Sequence, residues 1–79
     1  MHIIIIGCGR VGSQTANLLS EAGHNVSIID LDPKSFNRLG KSFNGQKIIG
    51  FGYDKDVLER AGIEEADAFA ALTHGDNRN

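Results

Sequence analysis

An α/β fold built on a parallel sheet is the prediction for this chain, and three observations carry it. Four isoleucines, Ile3 to Ile6, run straight into Gly7-Cys8-Gly9-Arg10-Val11-Gly12. A second apolar run closes on the acid Asp30. The rest of the chain repeats a strand, turn and helix rhythm without a linker, the alternation that parallel strands joined by right-handed crossovers require.

Each element has its own signal. His2 to Ile6 is a continuous β-branched run, as expected of a strand buried on both faces. Arg10 to Ala22 reads as a helix whose buried face is supplied by Val11, Ala16, Leu18, Leu19 and Ala22, with Gly23 at the left-handed position beyond its end. Asn25 to Ile29 is the second strand. Asp32-Pro33 starts a second helix, with Asp32 as N-cap and Pro33 in the first helical position, and Phe36, Leu39 and Phe43 facing the sheet. Gln46 to Ile49 is a short third strand. Asp54 or Asp56 caps a third helix that carries Val57, Leu58 and Ala61 and ends at Gly62. Glu64, Glu65 and Asp67 read as a solvated acidic turn, and Ala68 to Leu72 as a small-residue fourth strand. The pattern is the first half of a Rossmann-type sheet with strand order 3-2-1-4, truncated after the fourth strand. Met1 directly before the first strand predicts a natural start. The few residues after the fourth strand predict a parent polypeptide that continues, because that strand would otherwise be an uncovered edge.

Composition narrows the function. The chain has 79 residues, 8 Lys+Arg and 10 Asp+Glu, for a net charge of −2. One domain or a piece of one is the only sensible count, and its stability should be small, since a chain this short buries only roughly 60% of its unfolded surface. Scattered basic residues and a negative balance do not supply the positive field of a nucleic-acid binder. Cys8 is the only cysteine, so an intrachain disulfide is excluded and a reducing, cytosolic setting fits. The isoleucine run is too short to span a bilayer and has no cationic segment ahead of it, so neither direct membrane insertion nor a signal peptide is expected.

The glycine turn and the acid point to a nucleotide. Gly7 permits the tight turn, Gly9 lets backbone approach phosphates, and Gly12 lets the helix pack closely on the sheet. The first helix then presents its free N–H groups and positive dipole end, and Arg10 can add a charged contact. The dipole is worth only about 0.3–1 kcal/mol at an exposed site, so the N–H groups must carry most of the grip. Asp30 stands close to the roughly 20-residue spacing of a ribose-binding acid, where a carboxylate accepts from ribose hydroxyls and repels a 2′-phosphate. That favours NAD, NADH, ATP or ADP over NADP. The glycines alone would also serve an ordinary strand-to-helix turn, and Asp30 alone could cap the second helix, a role Asp32 already fills.

Cys8 reads as a small space-filler, although a helix N-terminus can lower a thiol pKa. His2, His24 and His74 show no metal-ligand spacing, and only His74 stands near a ligand crevice. No activated nucleophile or acid/base pair is visible.

Several blocks are more specific than the glycines: Ile28-Ile29-Asp30-Leu31-Asp32-Pro33, Asp54-x-x-Val57-Leu58-x-x-Ala61-Gly62-Ile63, Ala66-Asp67-Ala68 and Ala71-Leu72-Thr73. With them the chain resembles the N-terminal RCK domain (regulator of potassium conductance, also called KTN or TrkA-N) over essentially its whole length. The resemblance implies a cytosolic, non-enzymatic sensor that binds NAD(H), ATP or ADP. It implies homo-oligomers, dimers building a ring, that gate a potassium channel or transporter subunit and so sit at the cell membrane through that partner. By the same resemblance, Gly7, Cys8, Gly9, Arg10, Val11 and Gly12 would hold phosphates. Asp30 with Leu31 would take the ribose side, and Thr73 and His74 the ribose or phosphate side at the fourth strand, where Asp76 and Asn79 also match the family. The chain departs from the family after the third strand. There Gly50-Phe51-Gly52 replaces Gly-Asp-Ala or Gly-Asp-Gly near the adenine. Phe51 cannot accept from the adenine amine but can pack on the ring face, or it can turn aside into the core.

Two other functions share these features. The cofactor-binding half of an NAD-dependent dehydrogenase carries the same glycine turn, with its catalytic residues beyond Asn79. An interaction scaffold that has lost nucleotide binding through Phe51 is the third.

Overall fold

The computed structural model describes residues 1–72, and among them four parallel strands form one sheet. Strand β1 (His2–Ile6) leads to helix α1 (Arg10–Glu21), strand β2 (Asn25–Asp30), a 3₁₀ segment (Pro33–Arg38) and strand β3 (Gln46–Ile49). Helix α2 (Lys55–Ala61), a short 3₁₀ turn (Ile63–Glu65) and strand β4 (Ala68–Ala71) follow. The order is β3-β2-β1-β4, as the sequence predicts. Thr73, His74, Asp76 and Asn79 lie outside the described residues.

The isoleucine run has two cores to fill, which is why it does not alternate. Ile3 and Ile5 face one side with Val26 and Ile28, packing on Ala16 of α1 and on Phe36. Ile4 and Ile6 face the other with Ile29 and Ile48, against Val57 and Ala61 of α2. The registers align these sets, with Ile5 beside Ile28 and Ile29 beside Ile48. Ile4, Ile5, Ile28 and Ile29 are fully buried, and each contributes roughly 1.5–3 kcal/mol relative to exposure. On β4, Phe69 stands beside Ile4 yet is half exposed.

Helix ends follow local chemistry. Asp54, rather than Asp56, caps α2 by accepting the Asp56 N–H at 2.9 Å. Gly23 and Gly62 take the left-handed backbone at the ends of α1 and α2. The last α2 carbonyl, that of Ala61, accepts from the Ser27 hydroxyl at 3.1 Å and pairs with His2 Nε2 at 2.7 Å. Asp67 is more than a solvated acid. Its carboxylate accepts the His2 N–H at 2.8 Å while its own N–H donates to the His2 carbonyl at 2.7 Å.

Two expectations are corrected. The face that α1 buries is Gly12, Ser13 and Ala16 with Leu19 partly covered, whereas Val11 is 59% and Leu18 68% exposed and Ala22 is an exposed cap. Gly12 packs directly on the Gly7 carbonyl, an approach only glycine permits, because a Cβ there would fall on that oxygen. This fixes the rotation of α1 and turns Val11 and Leu18 outward. The second helix is only the 3₁₀ segment, and Leu39 is already extended. The chain that follows is captured by α1 instead: Asn17 accepts the Gly40 N–H and the Ser20 hydroxyl accepts the Asn44 N–H, each at 3.0 Å. Phe36, Leu39 and Phe43 still pack on the sheet as expected.

Candidate functional site

The carboxyl ends of β1, β2 and β3 meet at one crevice, and the sequence motifs supply its walls. Gly7 leaves β1 with φ of 103°, a left-handed conformation that favours glycine, and its N–H donates to the Ile29 carbonyl at 2.7 Å. Gly9 is the N-cap residue of α1 in extended backbone, so its use here is the missing side chain rather than a special φ. No side chain caps α1, and its first turn holds no acid. The start of this helix therefore meets the crevice with no side-chain cap of its own, beside exposed Arg10.

Cys8 pins three elements together. Its N–H donates to Asp30 Oδ2 at 2.7 Å and its thiol donates to the Ser35 carbonyl at 3.3 Å. The residue is fully buried, and its pKa is raised from 9.0 to about 11. Burial is the main cause and the Asp30 charge adds to it, while Arg38 and Lys47 pull weakly the other way. A nearby helix N-terminus does not make this thiol reactive; it stays protonated and structural.

Asp30 has both oxygens anchored, since Oδ1 accepts the Asp32 N–H at 2.9 Å. Asp32 in turn accepts the Lys34 N–H at 3.0 Å, so it, and not Asp30, caps the 3₁₀ segment. A carboxylate has about four lone-pair sites, so two remain after these bonds.

Between these groups lies a cleft of about 210 Å³, smaller than the roughly 300–1,000 Å³ typical of drug-sized ligands. Gly7, Gly9, Asp30 and Leu31 line one part of it. Phe51, Gly52 and Tyr53, from the loop after β3, line the other. Gly52 is forced by proximity, because a Cβ would meet Ile6 Cγ2 at 2.5 Å. Phe51 does not turn into the core; it is 60% exposed on the cleft.

The crevice thus gathers Gly7, Gly9, Asp30, Leu31, Phe51 and Gly52 of the residues singled out by sequence. Cys8 lies behind it, Gly12 lies under the turn, Arg10 and Val11 sit exposed on the first turn of α1, and Thr73 and His74 lie outside the described residues. Sequence reasoning missed Tyr53, which lines the cleft and is 87% exposed. The signal was present in the short aromatic loop Phe51-Gly52-Tyr53 at a strand's carboxyl end. Among the described residues no group of three or more His, Cys, Asp or Glu is placed to hold a metal ion, and no helix is long and apolar enough to cross a membrane.

A parallel 3-2-1-4 sheet with a glycine turn and an acid at the strand ends defines a Rossmann-type half-domain whose crevice lies outside the carboxyl ends of its strands. The TrkA-N domain family matches residues 3–79, and the chain belongs to that family. The Trk system potassium uptake protein TrkA of Streptomyces coelicolor is 60% identical over 79 residues, all of this chain and 35% of that protein. A Trk system potassium uptake protein TrkA homolog of Pyrococcus abyssi is 43% identical over the same 79 residues, again 35% of its length. The chain therefore spans about a third of these relatives. A solved structure, the Shewanella denitrificans Kef CTD in AMP-bound form, matches with a TM-score of 0.69 at 31% identity, over 87% of this chain and 40% of that one.

Proposed function

We propose that the chain is the nucleotide-sensing, non-enzymatic part of a regulator of potassium uptake. The observation that carries this is the Asp30 carboxylate, fixed by the N–H groups of Cys8 and Asp32 and lining the cleft beside the glycine turn. With lone pairs to spare, it accepts from the two hydroxyls of a ribose and repels a 2′-phosphate. The uncapped start of α1, with Gly7, Gly9 and Arg10, holds the phosphates through N–H groups and charge. Leu31, Phe51 and Gly52 take the base end, and the family resemblance assigns Thr73 and His74 to the ribose or phosphates. The ligand is NAD or NADH, or else ATP or ADP; that the Kef CTD neighbour is in AMP-bound form supports an adenine nucleotide.

The names of the relatives support the rest of the reading. The parent is a cytoplasmic protein held at the membrane by a potassium transporter or channel subunit, and it works as a homo-oligomer, a dimer building a ring. A nucleotide regulates such an assembly only through unequal affinity for its two states. Moving it from almost all closed to almost all open takes about a 10⁴-fold difference. The cofactor half of a dehydrogenase would carry the same turn and acid, but nothing in the relatives' names favours it.

Calorimetric titration of the full-length parent with NADH, ATP and ADP tests the proposal. Saturable one-to-one binding per domain of at least one of them is expected. No heat and no shift in melting temperature with any of the three would overturn it.

A further inference from the structure

We propose that Phe51, with Tyr53, makes the base end of the cleft a stacking platform that does not read the edge of the base, so that the site selects ribose and phosphates and tolerates different purines. The inference rests on the nucleotide reading above and concerns its specificity. The side chains around that end of the cleft are Leu31, Phe51 and Tyr53, which are 54%, 60% and 87% exposed. Leu31 and Phe51 carry no polar atom, and the Tyr53 hydroxyl belongs to a side chain left almost wholly to solvent.

Two backbone groups beside them are also committed. The Gly50 N–H donates to the Asp30 carbonyl at 3.0 Å, and the Phe51 carbonyl accepts the Asp54 N–H at 3.1 Å. Asp30, the charged side chain lining the cleft, is tied at both oxygens to the glycine turn and the β2 turn, on the sugar side. A purine entering between Leu31 and Phe51 therefore meets ring faces and methyl groups. Stacking of this kind is strong but indifferent to base identity, because every base presents a π-face. Discrimination between an amino and a keto group at the purine six-position needs a paired hydrogen bond to the base edge, and the side chains here supply none.

The test uses full-length protein, ADP and its hypoxanthine counterpart IDP, titrated into wild type, Phe51→Ala and Phe51→Asp. Phe51 is exposed, so neither change should disturb folding. Wild type is expected to bind the two within about threefold of each other, and Phe51→Ala to weaken both by about tenfold, as removal of a stacking partner does. Phe51→Asp, which adds an acceptor, is expected to shift the ratio toward ADP. A wild-type preference for ADP of more than about thirtyfold would overturn the inference while leaving the nucleotide reading intact, since that gap requires edge recognition. Unchanged affinities in Phe51→Ala would do the same. Failure of both nucleotides to bind wild type would overturn this inference, and NADH and ATP titrated alongside decide whether the nucleotide reading falls with it.

Discussion

The Asp30 carboxylate accepts the Cys8 N–H at 2.7 Å, so the acid that ends β2 and the glycine turn that ends β1 form one unit. The bond reaches from one strand end to its neighbour and leaves the carboxylate in the crevice. Because the second oxygen holds Asp32, the same side chain also shapes the entry to the 3₁₀ segment.

Removing that carboxylate should cost stability even without ligand. Asp30→Ala leaves the Cys8 N–H without its partner in a part-buried position, which typically costs about 1–3 kcal/mol. Urea unfolding of the full-length variant should show this loss. A midpoint equal to wild type would mean that water replaces the carboxylate freely.

The Cys8 thiol gives the domain an alkaline weakness. Its pKa is about 11 against an ordinary 9.0, so above the ordinary value the folded state holds a proton that the unfolded chain has released. The stabilisation is complete below the ordinary value and is lost as pH rises toward about 11. Unfolding midpoints measured across this range should fall more steeply in wild type than in Cys8→Ala. Parallel curves would show that other groups cause the decline.

Gly12→Ala should be costly in a helix where alanine is otherwise the better residue. Its Cβ would collide with the Gly7 carbonyl, and such overpacking costs about 1–3 kcal/mol against a helix-propensity gain of about 1 kcal/mol. A thermal melt should show net destabilisation. An unchanged or higher melting temperature would contradict the close approach.

Leu18→Ser should be nearly silent, within about 0.5 kcal/mol, because the side chain is 68% exposed. Ile5→Ala, on a fully buried strand position, should cost about 2–5 kcal/mol. Equal effects of the two changes in urea titrations would mean that the α1 face is buried in the parent.

Local signals made much of this legible in the sequence. The strands, the glycine turn and the Asp32 and Asp54 caps each show in residues a few positions apart, and Asp30 shows as the acid that ends an apolar run. The α1 face was misread because apolarity suggested Val11 and Leu18, whereas the rotation is set by one close backbone approach at Gly12. The second helix was overextended because Asn17 and Ser20, distant in sequence, bind the N–H groups of Gly40 and Asn44. Tyr53 escaped because a loop side chain shows its role only once the strand ends are assembled.

The ribose grip of Asp30 is the centre of the proposed function, and Asp30→Asn tests it most directly. The amide keeps one acceptor for a backbone N–H but loses the charge and an acceptor for the ribose. Calorimetric titration of full-length wild type and variant with NADH, ATP and ADP should show affinity for the bound nucleotide falling by about tenfold or more, the loss of a hydrogen bond to a charged group. Equal affinities in the two proteins would contradict the account.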